Sequence, residues 1–307
     1  GIFTFDNDAK KSYDLMIKYV SIAEKAVKKI KRKKIKQIKK YNISFKPHEI
    51  SPILRGLLSE TKNVKFIVNY RSNKILDYFI NGKEVRRYTG LGTATPDHVI
   101  RVKPFPLVIS PKPKTTIEDF KKLAEKCFRD YRQKYIKYFD TNKKKVKGKK
   151  TMLDTSPRVI LVQNVGLFSV GDSLRAAKIA GDLTETNARV ISSVEETSKY
   201  KFIPEKDLFD VEYWSLEQAK IKKAKKTLQG NVVVITGSFG AIGSATYKLF
   251  KSYGAEVVLL DYNLQKVKEM KSKVKDLCLH CDVTNKSSVN RAFKIITETY
   301  GGIDILI

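Results

Sequence analysis

The chain has few of the residues from which disulfide scaffolds and metal sites are built. Its 307 residues include only three cysteines and three histidines. His48 and His98 show no H-x-H or H-E-x-x-H spacing, so we do not expect a complete zinc site within these residues. Cys278 and Cys281 form a C-x-x-C pair around His280. However, "DLCLHCDV" predicts a strand, in which residues three apart point to opposite faces, so we interpret both as core thiols.

Long apolar runs are also missing. No stretch of about 18 or more uncharged apolar residues occurs, and the N-terminus lacks the basic-then-apolar pattern of a signal peptide. These absences predict a soluble, cytoplasmic protein that does not insert into a membrane. A hydrophobic fraction of 42% over 307 residues is enough for about two domains with their own cores.

The chain has only 32 acidic residues against 61 basic ones, which gives a net charge of +29. The run "KKIKRKKIKQIKK", residues 28–40, favours nucleic-acid binding. Only 12 of the 61 basic residues are arginine, however, and the excess is spread along the chain without a recognition module. We therefore favour solvated lysine-rich faces and keep nucleic-acid binding as an alternative. Isoleucines at near-helical spacing predict that the run is a helix with one thin apolar stripe.

Hydrophobic periodicity predicts further helices and strands in the part of the chain before Gly230. Asp6 to Asp8 should cap a long amphipathic helix, and residues 117–139 show a second helical pattern. The segments "NVKFIVNY", "KILDYFING" and "RVILVQ" are typical of strands. "NVGLFSVGD" is interpreted as a glycine-bearing loop before a helix, and residues 208–226 as a closing helix. Residues 141–150, "TNKKKVKGKK", are expected to form an exposed loop.

A short internal echo links two distant parts of this region. "GIFTF", followed by Asp6 and Asp8, resembles "GLFSV", which begins at Gly166 and is followed by Asp172. A helix is predicted after each segment. The match is brief, so both a duplicated lobe and chance stay open.

The most informative segment is "NVVVITGSFGAIGSATYKLFKSYGAEVVLLD", residues 231–261. An apolar strand leads into a glycine loop and a helix, an order that places backbone N–H groups and the positive helix end against a diphosphate. The predicted contacts are Gly237, Ser238, Gly240, Ile242 and Gly243. The glycine spacing is G-x-x-G-x-x-G, which differs from the commonest G-x-G-x-x-G fingerprint. The alternative is a glycine turn in a nucleotide-free domain.

The strand that follows this helix narrows the choice of nucleotide. It ends at Asp261, close to the distance from Gly243 at which dinucleotide-binding sequences place an acidic residue. A carboxylate at this point would accept hydrogen bonds from the ribose 2′-hydroxyl and repel a 2′-phosphate. The sequence therefore favours NAD over NADP.

The segments "TGSFGAIG", Asp261, "CDVTN" and "GGIDILI" resemble the short-chain dehydrogenase/reductase family over residues 230–307. The resemblance implies that Asp282 and Val283 line the adenine pocket. Ala241 stands where the family usually has its second glycine. The family's Asn-Asn-Ala-Gly and catalytic Tyr-x-x-x-Lys would follow Ile307, so we expect this chain to hold the cofactor-binding half alone. We interpret the two internal Tyr-x-x-x-Lys matches, at Tyr70 and Tyr262, as coincidental.

The part of the chain before this domain resembles the bifunctional class II aldolase/short-chain dehydrogenase family of the rhamnulose-1-phosphate aldolase/alcohol dehydrogenase type. The matching segments are "TATPDHVIRVKPFPL", "PRVILVQNVGLFSVGDSLRAAKIAGDL" and "LFDVEYWSLEQAK". The resemblance implies a zinc-dependent aldolase lobe whose three histidines would lie upstream, the third just before "GIFTF". Val165 occupies the equivalent place in the echo and cannot bind zinc. No aldolase catalytic residue is therefore assigned to this chain.

These observations predict an α/β chain, with an aldolase-like region before a partial Rossmann sheet. We expect three parts: residues 1–42, the end of an aldolase lobe; 43–229, a middle region or degenerate second lobe; and 230–307, half of an NAD-binding domain. The whole protein is expected to be a homo-oligomeric, bifunctional oxidoreductase of rhamnose-type metabolism that acts on a small sugar product such as lactaldehyde. The alternative is a non-catalytic NAD-binding module or sensor. His98 is predicted to be a loop residue bonded to nearby backbone, or else a ligand contact.

Overall fold

The computed structural model describes residues 2–59, 65–220, 224 and 226–307. The helices are α1 (Ala9–Lys28), α2 (Pro47–Ser59), α3 (Lys74–Ile80), α4 (Val85–Thr89), α5 (Val99–Val102), α6 (Ile117–Asn142), α7 (Leu174–Glu195), α8 (Glu205–Glu212), α9 (Ser215–Ala219), α10 (Ala241–Ser252), α11 (Leu264–Lys273) and α12 (Lys286–Tyr300). The strands are β1 (Ile67–Arg71), β2 (Leu107–Ile109), β3 (Val159–Val162), β4 (Gly166–Gly171), β5 (Val232–Ile235), β6 (Glu256–Asp261), β7 (Leu277–His280) and β8 (Ile305–Leu306). No helix in these ranges is long and apolar enough to cross a membrane.

The first sheet is mixed, with the strand order β1-β4-β3-β2. Strands β3 and β4 form an antiparallel hairpin, while β2 runs parallel to β3. Ile160 and Val162 point toward α2 and α6, whereas Val159 and Leu161 point to the opposite face, toward α3 and α7. Strand side chains alternate between the two faces of a sheet, and both sets are buried in β3. Strand β3 therefore lies inside a three-layer helix–sheet–helix arrangement.

The second sheet is entirely parallel, in the order β7-β6-β5-β8. Val232 and Val234 pack toward α12, while Val233 and Ile235 pack in the core on the other face, beside α10 and α11. The chain crosses from one side of β5 to the other after β7, and such a reversal creates a crevice at the carboxyl ends of the strands. The predicted Rossmann-type parallel sheet, preceded by a separate α/β region, is confirmed.

The two sheets are joined by a shared core and a buried ion pair. Ile67 and Ala177 from the first region lie in the same apolar cluster as α12. Arg55, in α2, donates from Nη2 to Asp304 Oδ2 at 2.5 Å and to the Gly230 carbonyl at 3.0 Å. Both charged side chains are about nine-tenths buried, so the junction is specific.

Several local predictions are confirmed. Asp8 caps α1 by accepting a hydrogen bond from the Lys10 backbone N–H, and α6 covers the predicted helical segment. Cys278 and Cys281 are both buried, and they belong to cores on opposite faces of the second sheet. The apolar side of α1, which includes Tyr13, is exposed in this structure.

Other local predictions are wrong. "KILDYFING" contains helix α3, because Asn73 caps the segment by accepting from Ile75 and Leu76 N–H groups. Most of the predicted loop "NVGLFSVGD" is strand β4, which is fully buried. The single helix predicted over residues 208–226 is two short helices, α8 and α9, and its residues 221–223 and 225 lie outside the described ranges.

The basic run is not a helix beyond Lys28. Residues 31–40 have no regular secondary structure apart from a β-bridge between Gln37 and Gly82. Ile35 packs against the core on the α3 face, so tertiary contacts override the helical spacing. Arg32 pairs with Glu196 and Lys40 with Asp77, which ties part of the run to the fold.

Candidate functional site

The glycine loop lies at the carboxyl end of β5, where the sheet order reverses. Gly237 has φ +57°, a left-handed conformation that favours glycine. A side chain at Gly243 would place its Cβ 2.5 Å from the Gly237 carbonyl oxygen and 2.7 Å from Ser238 Cα. The loop backbone and the start of α10 therefore approach each other so closely that only glycine is compatible with position 243.

Helix α10 begins with its backbone donors exposed to this crevice. Gly240 is its N-cap and supplies no side-chain hydrogen bond, although Ser244 N–H donates to the Gly240 carbonyl at 3.0 Å. Ser238 is buried, and its Oγ has no hydrogen-bond partner among the described residues. The positive end of a helix with open N–H groups and an unpartnered hydroxyl beside it provides the donors that a diphosphate accepts.

Asp261, at the end of β6, contacts this loop directly. Its Oδ2 accepts from the Phe239 N–H at 3.0 Å, and its Oδ1 accepts from the Asn263 N–H at 2.9 Å. The residue therefore fixes the loop conformation as well as presenting a carboxylate at the crevice. Sequence spacing indicated the carboxylate but gave no sign of its bond to Phe239.

The remaining predicted contacts lie along the same edge. Asp282 follows β7, and its Oδ1 accepts from the Thr284 N–H and hydroxyl at 2.9 and 2.7 Å. Both hydrogen bonds lower the pKa of the Asp282 carboxyl group, and the bond from the Thr284 hydroxyl has the larger effect. Val283, which follows β7, and Ile242, in the first turn of α10, are 63% and 83% exposed, so both apolar side chains face the solvent. A planar, partly apolar group such as adenine could pack there.

Val165, which takes the place of the third zinc histidine in the internal echo, lies in the turn between β3 and β4, beside the apolar core. Among the described residues, no three His, Cys, Asp or Glu side chains converge on one point. His98 ends a short 3₁₀ turn, and its Nδ1 lies 3.3 Å from Asn187 Oδ1, a side-chain partner in place of the predicted backbone one.

A buried charged cluster in the first region was missed by sequence reasoning. Lys103, Asp154, Arg158 and Glu212 line one cavity of about 260 Å³ between α5, β3, β4 and α8. Arg158 holds the Asp154 carboxylate with both terminal nitrogens, at 3.0 and 2.5 Å. Asp154 and Arg158 are four residues apart, whereas Lys103 and Glu212 lie in two other segments of the family resemblance, and no local spacing predicts that the four residues meet.

Comparison with known families matches both regions. Residues 46–221 match the family model described as "Aldolase class II, second domain", and residues 231–307 match that of the short chain dehydrogenases. The first match alone covers more than half of the chain. The predicted fusion of an aldolase-type region to a short-chain dehydrogenase segment is confirmed.

Similarity to individual proteins agrees with this division. The chain is 29% identical to the uncharacterized oxidoreductase YuxG of Bacillus subtilis (strain 168), over 84% of this chain and 38% of that protein. It is 39% identical to short-chain dehydrogenase reductase 3b of Arabidopsis thaliana and 37% identical to secoisolariciresinol dehydrogenase of Forsythia intermedia, each over 26% of this chain. The chain spans about a third of the length of these relatives: 38%, 33% and 30%.

Proposed function

This chain belongs to the class II aldolase second-domain family and continues into a short-chain dehydrogenase segment; from that premise, we propose that its protein is an NAD-dependent oxidoreductase. The observation that carries the proposal is the close approach at Gly243, followed by Asp261 at the end of the next strand. Together these features form a diphosphate cradle with a ribose acceptor, the pattern of dinucleotide binding. The similarity to YuxG supports an oxidoreductase.

In this proposal, the chain's own residues bind and orient the cofactor. The N–H groups at the start of α10 and the Ser238 hydroxyl hold the diphosphate. Asp261 accepts hydrogen bonds from the ribose, while Ile242, Asp282 and Val283 border the adenine. Bound NAD supplies the hydride acceptor, and no residue of this chain is assigned to proton transfer.

The proposal extends to the organisation and substrate of the whole protein. Residues 1–42 form the end of an aldolase lobe, residues 43–229 form a middle aldolase-family region or degenerate second lobe, and residues 230–307 form the cofactor-binding half of a dehydrogenase domain. Within these parts, residues 1, 60–64, 221–223 and 225 lie outside the described ranges. We expect a cytoplasmic homo-oligomer that oxidises a small hydroxyl- or aldehyde-bearing sugar product such as lactaldehyde.

The direct experiment is an assay of the whole protein that contains this chain. The protein is incubated with NAD and either lactaldehyde or a small primary or secondary alcohol, and formation of NADH is followed by absorbance. We expect NADH with at least one substrate and less product with NADP. NAD binding without hydride transfer would favour the sensor alternative, whereas the absence of both would refute the proposal.

A matched variant links any activity to the site. Gly240→Leu places a bulky side chain at the mouth of the cradle, where the nearest atom to a Cβ is the Gly237 carbonyl oxygen at 3.4 Å. Gly56→Ala, in α2, meets no atom within 4 Å and serves as the control. Activity should be lost in the first variant and retained in the second.

A further inference from the structure

The cavity that contains Lys103 is lined by both charged and apolar residues. It continues into a wider cleft of about 490 Å³ at the start of α7, and Arg101, Asp172 and Ala176 line both spaces. Arg158 and Gly171, which also line the cavity, lie at the other end of the β3–β4 hairpin from the Val165 turn. A small molecule could therefore reach Lys103 without passing the glycine loop.

Lys103 is held in this cavity by an unusual backbone and by specific contacts. It has φ +64° and ψ +170°, a region that residues other than glycine rarely adopt. Its side chain is buried, its Nζ donates to the Asp154 carbonyl, and the ammonium lies 3.7 Å from the centre of the Tyr135 ring. Strained backbone conformations cluster at functional sites, which makes this lysine a candidate reactive group.

The charge of Lys103 is poorly compensated. The nearest carboxylate, Asp154, already binds Arg158 with both oxygens. Burial lowers the pKa of Lys103 to about 8, although Asp154 and Glu212 oppose the change. Desolvation of this kind increases the fraction of neutral amine near physiological pH, and the neutral amine is the nucleophilic form of lysine.

An acid lies beside the amine. Glu212 is 1% exposed, and burial raises its pKa, so its carboxyl group holds a proton more tightly than usual. Tyr135 connects the two groups: its ring faces Lys103, and its hydroxyl lies 2.8 Å from Glu212 Oε1. An amine and a carboxyl group that line one cavity provide the nucleophile and the proton donor that imine formation requires.

We propose that Lys103 captures small hydroxylated aldehydes or ketones as an imine, with Glu212 as the proton donor. The Lys103 nitrogen forms a bond to the carbonyl carbon, and the carbonyl oxygen takes the proton that the nitrogen sheds. Glu212 then protonates the resulting hydroxyl group, which leaves as water. An iminium ion and a Glu212 carboxylate remain, so the net charge is unchanged and no oxidant is needed. Arg158 and Gln218 provide donors for the hydroxyl groups of the ligand.

The experiment uses the wild-type chain and a covalent readout. The protein is incubated with glycolaldehyde at pH 7.5, reduced with sodium cyanoborohydride and digested, and the adduct at each lysine is quantified by mass spectrometry. At pH 7.5 the neutral fraction of an amine with a pKa of about 8 is about 200 times that of one at 10.5, so we expect at least about ten-fold more adduct at Lys103 than at exposed lysines.

Lys134 is the matched control within the same molecule. Burial also lowers its pKa, and its ammonium lies 3.9 Å from the centre of the Phe105 ring, but it lines a different cavity. We expect Glu212→Gln to reduce the adduct at Lys103 several-fold and to leave that at Lys134 unchanged. Equal labelling of the two lysines in the wild-type chain would overturn the proposal, whatever the stability of the variant. The proposal is independent of NAD binding.

Discussion

The aldolase-type region and the dehydrogenase segment differ in how their polar groups are buried and paired. In the first, Lys103 and Glu212 are buried, and Asp154 binds Arg158 through its carboxylate and Lys103 through its backbone carbonyl. In the second, the start of α10 leaves its backbone donors open. An enclosed network is formed by tertiary folding, whereas an exposed cradle is formed by one local segment. The two regions therefore differ in how much of their chemistry a sequence can reveal.

The largest effect should come from breaking the junction between the two regions. Arg55→Met removes the buried partner of Asp304 and leaves the Phe66 and Gly230 carbonyls without their donor. We expect the free energy of unfolding to fall by about 3–5 kcal/mol, as is typical when one member of a buried ion pair is lost. Urea denaturation followed by circular dichroism measures the change.

An exposed pair provides the control for this prediction. Lys40 and Asp77 also lie 2.5 Å apart, but their side chains are 69% and 42% exposed. Lys40→Met should change the free energy of unfolding by less than about 1 kcal/mol. Equal effects of the two substitutions would show that the regions are not joined through Arg55.

The next largest effect is expected in the cradle. Gly243→Ala forces the loop backbone to move, because the new Cβ would lie 2.5 Å from the Gly237 carbonyl oxygen. We expect a loss of about 2–3 kcal/mol in stability from overpacking. NAD binding, measured by calorimetry, should be lost as well. Stability and binding that both match wild type would mean that the loop is looser than the structure shows.

A smaller effect of opposite sign is expected in the enclosed network. Lys103→Met removes a charge whose burial is unfavourable, so the free energy of unfolding should rise by about 2 kcal/mol at pH 7. The folded pKa of Lys103 is lowered to about 8 from 10.5. The buried charge therefore lowers the free energy of unfolding in full below pH 8. This loss of stability decreases as the pH rises toward 10.5, because Lys103 in the folded state has already lost its proton. The difference between variant and wild type should shrink over that interval.

This pH dependence is read from denaturation curves of both proteins at pH 7, 8.5 and 10. Lys134→Met is the comparison, because that lysine is exposed to solvent. A wild-type chain more stable than Lys103→Met at every pH would contradict the account of an unfavourable buried charge.

Predictability from sequence follows the same division between local and distant contacts. The strand, glycine loop and helix around Gly237 were predicted because each step depends on neighbours within about 30 residues. The same is true of the cap at Asp8. Residues 74–82 were assigned the wrong element because a short apolar run fits both a strand and a buried helix. The pairing of Arg55 with Asp304 joins residues 249 apart, and periodicity carries no information on such contacts.

The role of Asp261 was predictable from the sequence only in part. Its position at the end of a strand was predictable, but its bond to the Phe239 N–H was not. Because that bond fixes the loop, Asp261→Ala should weaken binding of both NAD and NADP. The ratio of the two affinities, rather than either affinity alone, therefore tests whether the carboxylate selects NAD.

The most direct test of the central claim is a calorimetric titration of wild type and Asp261→Ala with NAD and with NADP, with Asp282→Ala as the control. We expect wild type and Asp282→Ala to prefer NAD by at least about ten-fold, which corresponds to about 1.4 kcal/mol. In Asp261→Ala the preference should fall close to one. An unchanged preference in Asp261→Ala, or no NAD binding by wild type, would contradict the assignment of this loop as an NAD site.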